Sequence, residues 1–236
     1  MTPADYERAR RLLIRRDPIL RVTIQRLGVC GMAARQHTDH LTALVRSIVG
    51  QQLSSKAAAT IFGRFCDLFP NRQISVAGVA ALDDGALRGV GLSGQKLAYL
   101  RDLCARIADG RLRPDELEAL TDDEVIARLT AVKGFGRWTA EMFLMFRLHR
   151  PDVLPVGDLG IATAVQRIYR LRQRPKPERL TRIGEAWRPY RSVACWYLWE
   201  SLKSLEPAAV RRSVGGKPSP TAKAVRRQSR SASRAR

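Results

Sequence analysis

Asp158 ends the loop "HRPDVLPVGD" and directly precedes the apolar-periodic run "LGIATAVQRIY". A carboxylate at a helix start accepts the free amides of the first turn and is held ionised by them and by the helix dipole. Capping alone would account for the residue. The same placement also aims a permanent negative charge into whatever cleft the preceding loop borders, where it could stabilise positive charge developing on a substrate. About twenty residues upstream, "LTAVKGFGRWTAEMF" places Gly134 and Gly136 between Lys133 and Arg137, just before helical periodicity resumes at Trp138. Glycines let a backbone take positive φ and approach another molecule closely, and the amides that open the second helix face outward with the positive end of its dipole. Such a turn suits a phosphate, with Lys133 and Arg137 adding charge beside it. A tight helix–helix connection would need the same glycines.

The elements around these residues read as helices. Segments 40–53, 55–69 and 95–110 repeat apolar residues at three- and four-residue spacing. Shorter helices fit 76–82, 84–89, 122–131, 137–148, 159–171, 178–186 and 189–204, and no alternating strand pattern is convincing. The expected class is all-α, about ten helices with short connections, and residues 122–148 form a helix, hairpin and helix. Two prolines and a glycine in 150–157 mark a boundary in the chain by composition.

Charge narrows the partner. The 236 residues carry 42 Lys+Arg against 22 Asp+Glu, a net charge of +20, which implies a polyanion rather than a small neutral metabolite. Residues 211–236 hold nine Lys/Arg and no acid, yet the rest still has 33 basic against 22 acidic residues, or +11. That Ser/Pro/Arg-rich tail reads as a disordered basic arm suited to moving along nucleic acid. Cys30, Cys66, Cys104 and Cys195 lie far apart, which favours reduced core thiols over disulfides or a metal cluster. His37 and His40 have no third ligand nearby in sequence. No apolar run reaches membrane-spanning length and no signal-peptide pattern opens the chain. The expected protein is an intracellular, nucleoid-associated monomer with no membrane partner.

The order of these segments resembles a known family. "LTAVKGFGRWTAEMF" followed by "PVGDLG" is similar to the helix-hairpin-helix, Gly/Pro-rich loop and aspartate of a superfamily of base-excision DNA glycosylases. "SIVGQQLSSKAAATI", "GLSGQKLAYL" and "PYRSVACWYLW" resemble its alkylbase branch, the 3-methyladenine DNA glycosylase II type. The resemblance runs over about residues 35–205. It implies double-stranded DNA containing damaged bases as partner, Asp158 as the catalytic carboxylate, and Trp138, Met142 and Trp199 around the extruded base. It places Lys133, Gly134, Gly136 and Arg137 on the DNA backbone, and Gln52 or Leu53 in the gap left by the flipped nucleotide. Some relatives carry tyrosine where this chain has Met142, so the pocket is less aromatic here. Bifunctional relatives carry a lysine at the position of Trp138, so base release without strand cleavage is implied. No cofactor is implied as required, although the family's hairpin often holds a metal ion on backbone carbonyls.

The resemblance also implies two helical subdomains flanking a cleft. Residues 1–39 would supply an N-terminal helical part of the first and 40–150 the central subdomain. Residues 151–210 would hold the catalytic loop and the helices that complete the first, ahead of the tail at 211–236. Two other readings stay open on the residues alone: a non-catalytic DNA-binding protein in which Asp158 only caps a helix, and a glycosylase for oxidised or mismatched bases. The damaged bases accepted are not determined by these motifs.

Overall fold

The computed structural model describes residues 1–34 and 39–204, so His37 and the basic tail lie outside the described residues. Among the described residues every regular element is helical. The helices are α1 (Pro3–Arg16), α2 (Pro18–Leu27), α3 (His40–Gly50), α4 (Ser55–Asp67), α5 (Val76–Ala81) and α6 (Asp84–Gly89). They are followed by α7 (Gly94–Ala108), α8 (Asp122–Thr130), α9 (Arg137–Phe146), α10 (Leu159–Ile168), α11 (Pro177–Gly184) and α12 (Arg191–Ser204). Short 3-10 turns include Pro114–Ala119 and Glu185–Trp187.

Local chemistry explains the starts. Each of α1 to α8 begins on a Ser, Thr or Asp whose side chain accepts a first-turn amide. Thr121 and Glu124 close a capping box at α8, one residue ahead of the aspartates that the sequence suggested for that turn. Helix α9 differs: it starts on Gly136, which offers no side chain to its amides.

Two sets of helices pack around two parts of the core. Helix α3 lies against α4, α7 and α9, α7 against α5 and α6, and α8 against α9. The other set joins the two ends of the described chain, with α12 packed on α1, α2 and α10, and α1 on α2. In this second set Trp187, Tyr197, Leu13, Leu20 and Ile24 are essentially inaccessible. The four cysteines are all buried and free, and burial pushes the Cys104 thiol up to about 11 and Cys195 well above the ordinary range. Inert core thiols result.

Candidate active site and DNA-facing hairpin

Asp158 is the N-cap of α10, and its position is set from behind. The loop before it is fastened to the first turn of α12. Arg191 donates from Nε to Asp152 Oδ1 at 2.7 Å and from Nη2 to the Asp152 carbonyl at 2.6 Å. Ser192 Oγ donates to the Arg150 carbonyl and accepts the Val153 amide. With the loop fixed there, Asp158 faces Trp199, two turns further along α12.

The carboxylate is 8% exposed and accepts three hydrogen bonds. Oδ1 takes the Ile161 amide at 2.7 Å and the Trp199 indole Nε1–H at 3.0 Å. Oδ2 takes the Trp138 indole Nε1–H at 2.7 Å. All three donors, together with the N-terminal end of α10, aim the positive ends of their dipoles at the carboxylate. A carboxylate has about four lone-pair positions, so one remains on Oδ2 for another group. Trp138 comes from α9 in one helical set, and Asp158 and Trp199 belong to the other. The site therefore lies on the seam between them.

Around this carboxylate the side chains are amphipathic. Trp138 is 53% exposed despite its bond, presenting ring surface to solvent. Met142 is partly buried and follows Trp138 by four residues, on the same face of α9. Phe146, one further turn on, packs against the Trp199 ring at 5.6 Å between centroids. Sequence reasoning missed Phe146, although its spacing from Trp138 and Met142 carried the signal. It also missed Gly160: a Cβ there would come within 3.0 Å of Asp158 Oδ1 and 3.1 Å of the Trp199 ring, so a side chain at this position would press on both partners of that bond.

The hairpin glycines do different jobs. Gly134 has φ +80°, and an added Cβ would overlap the Tyr99 ring at 2.2 Å. Gly136 is extended, with φ −96° and ψ 173°, and has open space where a side chain would go. Positive φ is thus needed at only one of the two positions, because the second is already the extended N-cap of α9. What Gly136 leaves is bare backbone beside uncapped amides.

Helix α7 braces this turn. Asp102 Oδ2 accepts the Lys133 amide at 2.9 Å and Arg106 Nε at 2.8 Å. Burial pushes the Asp102 carboxyl up, but these two donors outweigh it and hold the group below its ordinary value. Lys96 Nζ donates to the Val49 carbonyl at the end of α3, and burial lowers the pKa of its ammonium. Gln51 completes the brace by donating from Nε2 to the Gly134 carbonyl at 2.9 Å. The side chains of Lys133 and Arg137 stay at the surface.

Helix α3 ends at Gly50 rather than at 53, since Gln51 takes a non-helical ψ of 134° and Gln52 then adopts φ +58°. Gln52 and Leu53 are both exposed, in a turn linked through Gln51 to the hairpin. Sequence periodicity could not see this left-handed residue, because glutamine carries no preference for it.

Among the described residues no group of three or more His, Cys, Asp or Glu could hold a metal. His40 is buried against Phe143, with Nε2 3.3 Å from Glu118 Oε1. No helix is long and apolar enough to cross a membrane among those residues.

The hairpin, the loop after it and Asp158 all fall within a stretch that matches known proteins. Residues 45–189 match the HhH-GPD superfamily base excision DNA repair proteins. The chain belongs to that superfamily. Among HhH-GPD relatives, it is 37% identical over 162 residues to DNA-3-methyladenine glycosylase 1 of Schizosaccharomyces pombe, covering 68% of this chain and 71% of that protein. The putative DNA-3-methyladenine glycosylase YfjP of Bacillus subtilis is 32% identical, over 68% of this chain and 58% of that one. The HhH-GPD architecture superimposes on the S. pombe 3-methyladenine DNA glycosylase Mag1 in complex with abasic DNA with a TM-score of 0.74 and 32% identity, over 83% of this chain and 97% of that chain.

Proposed function

We propose that the chain is a monofunctional DNA glycosylase that hydrolyses the N-glycosidic bond of alkylated purines such as 3-methyladenine in duplex DNA and leaves an abasic site. The observation that carries this reading is the buried Asp158 carboxylate, held by three donors and bordered by the half-exposed Trp138. The names of the most similar relatives support the substrate class.

As the bond to the base breaks, positive charge develops on the deoxyribose. An ionised Asp158 beside the sugar stabilises that charge, and its remaining lone-pair position can orient water. The indole N–H groups do not neutralise it; they fix both oxygens and leave the charge in place. Reaching the carboxylate requires the nucleotide to leave the helix, and the Trp138 face, Met142 and Trp199 form the surface against which its base stacks. A cationic alkylpurine gains an additional attraction to an indole face. Gln52 or Leu53 fills the gap in the duplex, while Gly134, Gly136, Lys133 and Arg137 seat the backbone. Trp138 has no amine for a Schiff base, consistent with release of the base alone.

A metal ion at the hairpin would be held through backbone oxygens of residues 131–136. The Val132 and Gly134 carbonyls already accept one bond each and keep a second lone pair. Such an ion would add positive charge to the phosphate seat, and base release is not routed through it. The protein is proposed to act on DNA inside the cell as a monomer, with residues 40–150 forming one subdomain and 1–39 with 151–210 the other.

Single-turnover release of methylated bases from alkylated duplex DNA tests the reading. Asp158→Asn is expected to lower the rate by at least about 100-fold while still binding DNA. Asparagine still caps a helix but can accept only one of the two indole N–H groups, so a stability loss of about 1 kcal/mol is expected. Release unchanged in a folded mutant would remove Asp158 from the reaction.

A further inference from the structure

Glu141 is a buried charge that the reaction above does not use. It lies on α9, one turn beyond Trp138, with its side chain 7% exposed. Its Oε1 accepts the Arg137 Nε–H at 3.0 Å, and Arg137 itself is 67% exposed at the first position of the helix. A pair four residues apart on a helix is ordinary when both partners are solvated. Here one partner has been withdrawn from water.

The withdrawal is unfavourable for folding. Burial raises the Glu141 carboxyl above its ordinary value against the opposing pull of Arg137, and the nearby Asp158 charge raises it further. Nor does packing explain the residue. A cavity of about 200 Å³ opens beside it, walled by Asp122 and Ile126 of α8, Val153 and Val156 of the loop before Asp158, and Arg191.

Geometry supplies a reason to keep it. With its Nε engaged by Glu141, the largely exposed Arg137 keeps its two Nη groups for a further partner, and a guanidinium can grip a phosphate bidentately. Arg137 stands at the start of α9, where Gly136 leaves the amides uncapped. We infer that Glu141 is a positioning residue of the DNA interface, holding Arg137 in the orientation in which it binds a backbone phosphate next to the hairpin amides. The inference rests on the DNA-facing reading of the hairpin and extends it to a residue that touches no DNA.

Binding of a short undamaged duplex across a potassium chloride series, by fluorescence anisotropy, tests it in wild type, Glu141→Gln, Arg137→Ala and the double mutant. Melting temperatures are measured in parallel. Glu141→Gln keeps the shape and removes the charge. It is expected to weaken binding by about three- to tenfold at about 0.1 M salt and to melt no lower than wild type. Added to Arg137→Ala, it should change affinity by less than about twofold. Glu141→Met, of similar length and without charge, should reproduce the loss. Wild-type binding by Glu141→Gln, or an equal loss in the Arg137→Ala background, overturns the inference. A lowered melting temperature with such a background-independent loss makes Glu141 a packing residue instead. If Arg137→Ala itself binds as wild type, the hairpin reading of Arg137 fails and this inference with it. Base release by Asp158 is a separate measurement, untouched by that result.

Discussion

At the residue scale, Gln52 is the position where conformation argues most directly for use. A non-glycine residue in the left-handed region costs about 1–2 kcal/mol, and here it buys only exposure: Gln52 points no buried group inward. Such strain is kept where a side chain must be presented. Gln52→Gly is therefore expected to raise stability by up to about 1 kcal/mol, read as a higher melting temperature. On the proposal that Gln52 fills the gap left by the extruded nucleotide, the same variant should release methylated bases more slowly in single turnover. Higher stability with an unchanged rate would leave Leu53 as the wedge. Gly160 is the complementary case, a position where a side chain would crowd the Asp158–Trp199 contact.

At the element scale the hairpin between α8 and α9 separates two roles for glycine. Gly134→Ala meets both a positive φ and the Tyr99 ring, so a loss of about 2–4 kcal/mol is expected in thermal or denaturant unfolding. Gly136→Ala meets neither, and as an N-cap change should cost about 1 kcal/mol or less. Its methyl group would stand at the bare backbone where a phosphate is proposed to sit. Gly136→Ala should thus lose DNA affinity with little change in melting. Full DNA affinity in that variant would move the phosphate away from the start of α9. Helix α7 matters to both outcomes, since Tyr99, Asp102 and Lys96 brace the hairpin and the end of α3 together.

At the scale of the whole molecule, Asp17 ties α1 and α2 to the rest of their own helical set, the one that bears Asp158 and Trp199. It caps α2 through the Ile19 and Leu20 amides, accepts the Trp187 indole N–H at 2.8 Å and receives the Tyr169 hydroxyl. Burial, followed by the bond to Asp17, pushes the Tyr169 phenol far above its ordinary range. Asp17→Ala would leave buried donors without an acceptor and remove a cap. The expected loss is about 2–5 kcal/mol, measured by denaturant unfolding. Because α10 starts at Asp158 and ends beside Tyr169, base release should also decline as this corner loosens. An unchanged midpoint would mean that water replaces the carboxylate.

The amino-acid sequence determined the helical class, the hairpin and the aspartate at the head of α10, because each of these is local. Periodicity, glycine placement and capping act within a few residues of chain. Trp138, Trp199 and Asp158 were nameable from their motifs, yet the two indole bonds to one carboxylate were not, since they join positions 20 and 41 residues apart. Burial was equally hidden. No local pattern marks Glu141, and its withdrawal from water, with residues of the loop before Asp158 beside it, is visible only in the tertiary structure. Phe146, Gly160 and the left-handed Gln52 belong with it. Their significance depends on which surface lies opposite, and opposing surfaces are chosen by the packing of the two helical sets rather than by local propensity.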